Sequence, residues 1–281
     1  MEFRTDLAIE LNSRLEREIK GVKNEEKRFG DITLSKTEIL SLEGEEKLGK
    51  PMGKYITVQF PELLKTVDFE PLKIALKESL LCLLNQRDNI LVVGLGNREI
   101  TADSIGPFTA SKLLATRHIS GKFAENIGLS GLKSVAVISP DVLGKTGIES
   151  YEIVESVAKK IKPSAIIAID ALAAGSVNRL FRTVQLSNTG ISPGSGVKNS
   201  RKELSEETLS VPVIGIGVPT VVDAGSLAFE LTNKEPSDGT DMIVTPKDCD
   251  ILCHKISEIL SSVLNEFLQP EIDSEIINSL V

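Results

Sequence analysis

The sequence predicts an α/β protein: a layered, mostly parallel sheet with flanking helices and a small β-rich elaboration on its N-terminal side. Three observations carry this. Four short runs rich in Val and Ile recur, NILVVGLG (89–96), KSVAVIS (133–139), SAIIAID (164–170) and VPVIGIG (211–217). Each is apolar on both faces, as strands buried on both sides of a parallel sheet are. Helical stretches alternate with them at Ser104–Thr116, Ile148–Ile161 and Val221–Leu231, and strand–helix–strand alternation at this spacing requires right-handed crossovers. Ahead of them, residues 29–62 contain the β-branched, alternating runs DITLSKTEIL and KYITVQF, punctuated by Gly44, Gly49, Pro51 and Gly53, which predicts a small antiparallel layer.

The remaining elements follow in order. Residues 6–28 place Leu7, Ile9, Leu11, Leu15, Ile19 and Val22 on an approximate helical stripe in a highly charged segment. Residues 71–87 restart a helix, with Pro71 suited to its first turn. The α/β core spans 89–232, and a last amphipathic helix runs from Lys247 to Leu268. No repeat and no linker rich in Pro and Ser divides the chain, so one domain over 1–281 is expected.

Composition excludes several classes. The 281 residues carry 32 Lys and Arg against 40 Asp and Glu, a net charge of −8. That balance argues against direct binding of nucleic acid, which needs dense cations to displace counterions. Three Cys do not make a disulfide framework, and a reducing interior is expected. The first twenty residues contain no uncharged apolar run of a signal peptide, and no stretch approaches a membrane span. An intracellular, soluble protein is the expectation. Two His in the chain make a His-rich metal site arithmetically impossible.

Ligand sites in open parallel sheets form beyond the C-terminal ends of the strands, so the segments after the apolar runs matter most. Gly94-Leu95-Gly96 invites a dinucleotide-binding reading, but the third glycine of that fingerprint is replaced by Glu99 and the helix begins late, near Ser104. Gly190-Ile191-Ser192-Pro193-Gly194 matches a nucleophile elbow in letters only: the residue after the Ser must lend an N–H to the oxyanion, and Pro193 has none. The run before it, TVQLSNTG, does not read as a buried strand feeding a helix. The loop ISPGSG lines a cleft with its backbone or is a plain surface turn. Cys249, Cys253 and His254 suggest metal, yet both Cys share one apolar helical stripe with Leu252, Ile256, Leu260, Val263 and Phe267, and core packing is the better reading. His118 is an ordinary residue near a helix end. Thr146 with Glu149, and Thr220 with Asp223, read as capping boxes, and Asp141 as a turn residue.

Asp103 and Asp170 remain. Asp170 closes the most apolar run and Asp103 lies in the loop after the first. If those two strands are neighbours, both carboxylates enter one crevice, where they cannot both ionise easily and can hold one proton between them. Such a pair can activate water and protonate a leaving group. The plainer alternative makes both of them helix caps.

The strings FRTDLAIE, YITVQFPEL, VVGLGNREITADSIGP, GKTGIES, AIDALAA, ISPGSGV and VPVIGIGVPTVVDAG, in that order, resemble the germination proteases of spore-forming bacteria over nearly the whole chain. That family is similar in core fold to hydrogenase maturation endopeptidases. The resemblance implies an atypical aspartic endopeptidase that starts the degradation of small acid-soluble spore proteins during germination, in the cytoplasm of the forespore and spore core. It implies that Asp103 and Asp170 are the essential aspartates, that the protein assembles as a homotetramer, and that it is made as a self-cleaving zymogen. Family substrates are cut after an acid and before an apolar residue, followed by a small residue and, two further on, an acid. Thr5-Asp6-Leu7-Ala8-Ile9-Glu10 has that form, so self-cleavage is expected between Asp6 and Leu7, removing residues 1–6. The hydrogenase maturation relatives carry a metal-binding His after a later strand. This chain has none in the segment directly after VPVIGIG, which favours a mechanism without metal or other cofactor. A metal-dependent peptidase using the same carboxylates, and a nucleotide-binding α/β module, are the alternatives.

Overall fold

Strands β1 (Val22–Phe29) and β2 (Ile32–Ile39) form a hairpin around Gly30, which takes φ +59. The structure, a computed structural model, describes residues 5–13, 19–85, 88–119, 131–194, 202–233, 242–273, 276–277 and 280. The helical stripe expected over 6–28 is seen only in part among the described residues. It survives as α1 (Ala8–Ser13), Leu15 lies outside the described residues, and Val22 opens a strand. The physical reason is cross-strand pairing: β2 buries Ile32, Leu34 and Ile39 and needs a partner, while the charged run KNEEKR in β1 stays exposed. Such a Lys- and Glu-rich edge also resists further strand addition.

A short helix, α2 (Leu42–Leu48), interrupts the expected β layer. Its N-cap Ser41 accepts the Gly44 N–H, and Gly49 ends it in the left-handed conformation. Next come β3 (Gly53–Gln59), α3 (Glu70–Leu83, with Pro71 in its first turn), β4 (Asn89–Gly94), a 3₁₀ turn at Thr101–Asp103 and α4 (Ile105–Ser111). The chain continues through β5 (Ser134–Ile138), α5 (Leu143–Thr146), α6 (Ser150–Ile161), β6 (Ala165–Ala174) and β7 (Thr183–Ser187). It ends with α7 (Glu206–Leu209), β8 (Val213–Asp223), α8 (Ala224–Thr232), β9 (Ile243–Val244) and α9 (Cys249–Leu268).

All the strands join one sheet in the order β1-β2-β3-β7-β8-β6-β4-β5, with β9 on β8. The fold is α/β, but the sheet is mixed. The strands β8, β6, β4 and β5 pair in parallel, and the rest pair antiparallel. The N-terminal β elaboration is thus not a separate layer but the antiparallel half of the same sheet. The link between the halves is β7, which the sequence pattern does not reveal. All five of its residues are buried, although Thr183, Gln185 and Ser187 alternate as if facing solvent. Gln185 lies under residues 6–8 of the chain, a cover no local pattern predicts.

Two other boundaries shift for related reasons. Strands β6 and β8 run on past the apolar runs, to Ala174 and Asp223, because each continues to pair with the other beyond a bulge after Leu172. Asp170 therefore sits within a strand, and so does Thr220. The caps expected at Thr146 and Thr220 fall elsewhere: Glu149 and Glu152 form the box that opens α6, and Asp223 caps α8 through the Gly225 and Ser226 N–H groups.

Helix α9 follows the expected stripe, with Cys249, Cys253, Ile256, Leu260, Val263 and Phe267 all buried. It crosses α4, where Asn265 accepts the Leu114 N–H and donates to the Lys112 carbonyl. Phe267 is fully buried, so Phe267→Ala should lower unfolding free energy by about 3–5 kcal/mol in a denaturant titration. Among the described residues no helix is long and apolar enough to cross a membrane.

Candidate functional site

The chain steps from β4 outward to β5 and then back past β4 to β6. The loops leaving β4 and β6 therefore diverge, and a crevice opens between them at the C-terminal ends of these neighbouring strands. Gly94 pairs with Ile169 in that register, so Asp170 is the next residue along β6. The segment after β4 turns back through Gly96, which takes φ +108. A Cβ there would lie 2.1 Å from the Asp103 carbonyl oxygen, so only glycine lets the loop fold onto the turn that carries Asp103.

Asp103 and Asp170 line one cleft of about 500 Å³, with Ile100, Val142, Lys145 and Val221 among the other walls. Asp103 is half-buried, and its Oδ2 accepts the Asn97 N–H at 2.8 Å. Its turn is tied down from two sides. Thr220 Oγ1 donates to the Ala102 carbonyl at 2.6 Å, and the Cys253 thiol donates to the Thr101 carbonyl at 3.1 Å. Neither Asp103 nor Asp170 caps a helix: α4 has Ser104 at its N-cap without a side-chain bond.

Asp170 is almost fully buried. Its Oδ1 accepts the adjacent Ala171 N–H at 2.9 Å and its Oδ2 the Gly194 N–H at 3.4 Å. Burial, and after it the negative charge of Asp103, push its pKa up to about 8 against the pull of those two N–H groups, and Asp6 adds a further push. At neutral pH the Asp170 carboxyl is therefore mostly protonated, an acid placed beside a second carboxylate.

The segment with the letters of a nucleophile elbow follows the antiparallel strand β7, not a parallel strand leading into a helix. Its role is carried by backbone: Pro193 and Gly194 line the cleft, and Gly194 supplies the N–H to Asp170. Residues 195–201 of the same loop lie outside the described residues. Cys249 and Cys253 pack in the core with their sulfurs 3.9 Å apart, and the His254 ring stacks on Phe108. His118 lies in a turn after α4. Asp141, in the left-handed conformation at φ +64, pairs with Lys145 at 2.9 Å, and Lys145 also meets Glu99 at 3.1 Å. Among the described residues no group of three or more His, Cys, Asp or Glu could hold a metal ion.

The glycine the dinucleotide fingerprint lacks at position 99 has a counterpart within α4. Gly106 lets that helix approach β4 and β6, since a Cβ on it would lie 2.2 Å from the Leu95 carbonyl oxygen and 2.5 Å from that of Ile169. Spacing alone hides this residue, because its partner surface is contributed by two strands.

The N-terminal segment is the other feature local sequence could not place. The Asp6 N–H donates to the Ala173 carbonyl at 3.0 Å, and the Ala173 N–H donates to Asp6 Oδ2 at 2.8 Å. Leu7 and Ala8 are fully buried. Gln185 donates from Nε2 to the Asp6 carbonyl at 3.1 Å and accepts the Ala8 N–H at Oε1 at 2.6 Å.

Fold and site together define an α/β protein whose cleft, at the ends of two parallel strands, presents one protonated and one further carboxyl. Comparison with known sequences makes this specific. The sequence model of the germination proteases matches residues 4–233, and the chain belongs to the germination protease family. It is 40% identical to the germination protease of Clostridium tetani, over 99% of both chains. It is 37% identical to that of Clostridium acetobutylicum and 38% identical to that of Caldanaerobacter subterraneus, each over 99% of this chain and 98% of the relative. Among solved structures, the NiFe hydrogenase maturation protease HycI from Thermococcus kodakarensis aligns at 13% identity with a TM-score of 0.39. That alignment covers 66% of this chain and 98% of HycI.

Proposed function

We propose that this chain is an aspartic endopeptidase that initiates degradation of small acid-soluble spore proteins in the germinating spore, with Asp103 and Asp170 as its catalytic pair. Family membership supports the protease role. The observation that carries the mechanism is the buried Asp170 carboxyl, its pKa pushed up to about 8 in the same cleft as Asp103. Asp103, ionised, takes a proton from a water whose oxygen bonds to the scissile carbonyl carbon. Asp170, protonated, donates its proton to the carbonyl oxygen. The C–N bond then breaks as a proton passes to the leaving nitrogen, so that one water is consumed per bond cut.

The pH dependence has a definite sign. Below about pH 8 Asp170 keeps its proton and can donate it, and above that it loses it. Cleavage rate, kcat/KM, should therefore fall as pH rises through about 8. A rate that instead climbs through this range, as for a metal-activated hydroxide, would contradict the assignment and favour the metal-dependent alternative.

The same reading makes the chain a zymogen that cuts itself between Asp6 and Leu7 and works as a homotetramer in the cytoplasm of the forespore and spore core. The match of Thr5–Glu10 to the family's cleavage pattern supports that bond. N-terminal sequencing of activated protein should read Leu-Ala-Ile-Glu, and any other new terminus would sink this assignment.

A further inference from the structure

Cys249 and Cys253 lie at the start of α9 with their sulfurs 3.9 Å apart. The second of them reaches the aspartate site. Its thiol donates to the Thr101 carbonyl at 3.1 Å, and Thr101 opens the turn that ends at Asp103. The segment leading into α9 is tied to the same place. Thr245 Oγ1 donates to the Thr220 carbonyl at 2.9 Å, and Thr220 Oγ1 donates to the Ala102 carbonyl at 2.6 Å. A change at the start of α9 therefore reaches Asp103 by two short paths.

The pair is arranged for oxidation. Cβ atoms four residues apart on a helix are about 5–6 Å apart, and a disulfide needs about 3.5–4.5 Å. The start of α9 can close that gap, because Cys249 is its first residue and the N-cap Asp248 makes no side-chain bond. Cys249 is buried, but Thr245, Lys247 and Asp250 beside it are exposed, so a molecule as small as a peroxide has a short way in. The Cys249 thiol pKa is pushed down to about 7, first of all by the hydrogen bond with Cys253, which makes it the attacking sulfur.

We propose that Cys249 and Cys253 form a redox switch on the protease site: a peroxide joins them as a disulfide, which displaces the Asp103 turn relative to Asp170 and slows cleavage. The proposal rests on the peptidase reading above. The Cys249 thiolate attacks one oxygen of hydrogen peroxide, the O–O bond breaks, and hydroxide leaves, taking up the proton the thiol had lost. The Cys253 sulfur then attacks the Cys249 sulfenic acid, the S–O bond breaks, and the Cys253 proton departs with the hydroxyl as water. Two thiols and one hydrogen peroxide thus become one disulfide and two waters. A disulfide sulfur has no hydrogen to donate, and its lone pairs face the Thr101 carbonyl. That carbonyl also accepts the Ser104 N–H and hydroxyl, so the turn shifts as a unit instead of melting.

The test treats the full chain with hydrogen peroxide, removes the peroxide and blocks the remaining thiols. Trypsin should release residues 248–255 as a peptide lighter by two hydrogens, with Cys82 blocked. For a peptide containing TDLAIE, kcat/KM should fall ~10-fold or more, as a catalytic group misplaced by about 1 Å would cause. The loss should lie in kcat rather than KM, and dithiothreitol should reverse it. Cys249→Ser should keep the rate of the reduced parent and lose the sensitivity, whereas Cys82→Ser should keep it. The titration midpoint of the Asp170 carboxyl, read by NMR, should also move on oxidation, because the Asp103 charge helps to set it. The proposal is overturned if residues 248–255 stay reduced, if the disulfide forms without changing rate or midpoint, or if Cys249→Ser loses activity as the parent does. If the reduced protein cleaves nothing, the peptidase reading has failed. The disulfide and the Asp170 midpoint then decide by themselves whether the pair moves the Asp103 turn.

Discussion

Asp170→Asn and Asp103→Asn should each cut peptide cleavage by about 10²–10⁴-fold, the contribution of a positioned acid or base, while both proteins stay folded. Asn at 103 keeps an acceptor for the Asn97 N–H. Asn at 170 keeps an acceptor for one of the two N–H groups the carboxyl now takes, from Ala171 and Gly194. Stability should move in a direction of its own at Asp170. With its pKa raised to about 8, the native protein holds a proton that the unfolded chain releases near pH 4. The stabilisation from that proton is complete below pH 4 and is lost as pH rises through about 8. Asn has no charge to desolvate. Relative to the parent, Asp170→Asn should therefore gain stability on going from pH 5 to pH 9. The gain should reach a few kcal/mol at the upper end, since each tenfold difference in proton affinity between the folded and unfolded chain is worth about 1.4 kcal/mol. Thermal unfolding of both proteins at the two pH values reads this directly. A difference between them that does not change with pH would mean that Asp170 titrates as an ordinary carboxyl.

Gly106→Ala should be severely damaging for a change of a single methyl group. The added Cβ would meet the Leu95 carbonyl at 2.2 Å, the Ile169 carbonyl at 2.5 Å and the Leu95 nitrogen at 2.6 Å. All three are backbone atoms, so no side chain can rotate away and α4 itself must retreat. Overpacking of this kind costs about 1–3 kcal/mol, occasionally more, and the upper end applies here. Because α4 begins directly after the Asp103 turn, cleavage should fall with stability. Gly144→Ala, where an added methyl meets open space, gives the stability baseline. Equal stability of the two variants in a denaturant titration would show that α4 is not held at this distance.

Much of the parallel half was legible in the sequence, because strands buried on both faces announce themselves as unbroken Val and Ile runs. The stripe of α9, with its two Cys, was legible for the same reason: a periodic apolar face has one packing solution. What failed to show was everything set by a distant segment. The polar alternation in β7 reads as solvent exposure until residues 6–8 cover it. Val22–Phe29 reads as a charged helix until β2 pairs with it. The strands β6 and β8 extend through Asp170 and Thr220 by pairing with each other, although these polar residues interrupt the apolar runs. At the site, Asp103 and Asp170 could be singled out by their places in the loop after one apolar run and at the end of another. Their shared cleft depended on β4 and β6 being neighbours, which only the topology decides. Gly194, Cys253 and Gln185 support or extend the site through single hydrogen bonds from remote parts of the chain, and carry no local signal.

The proposed chemistry requires Asp170 to hold a proton at neutral pH, and the most direct measurement is the titration of its side-chain carboxyl carbon by NMR in the folded protein. A midpoint near pH 8 is predicted, shifted down but still above the ordinary carboxylate range in Asp103→Asn, since burial is the larger cause and the Asp103 charge the second. A midpoint near 4, the value of an unperturbed aspartate, would contradict that role for Asp170.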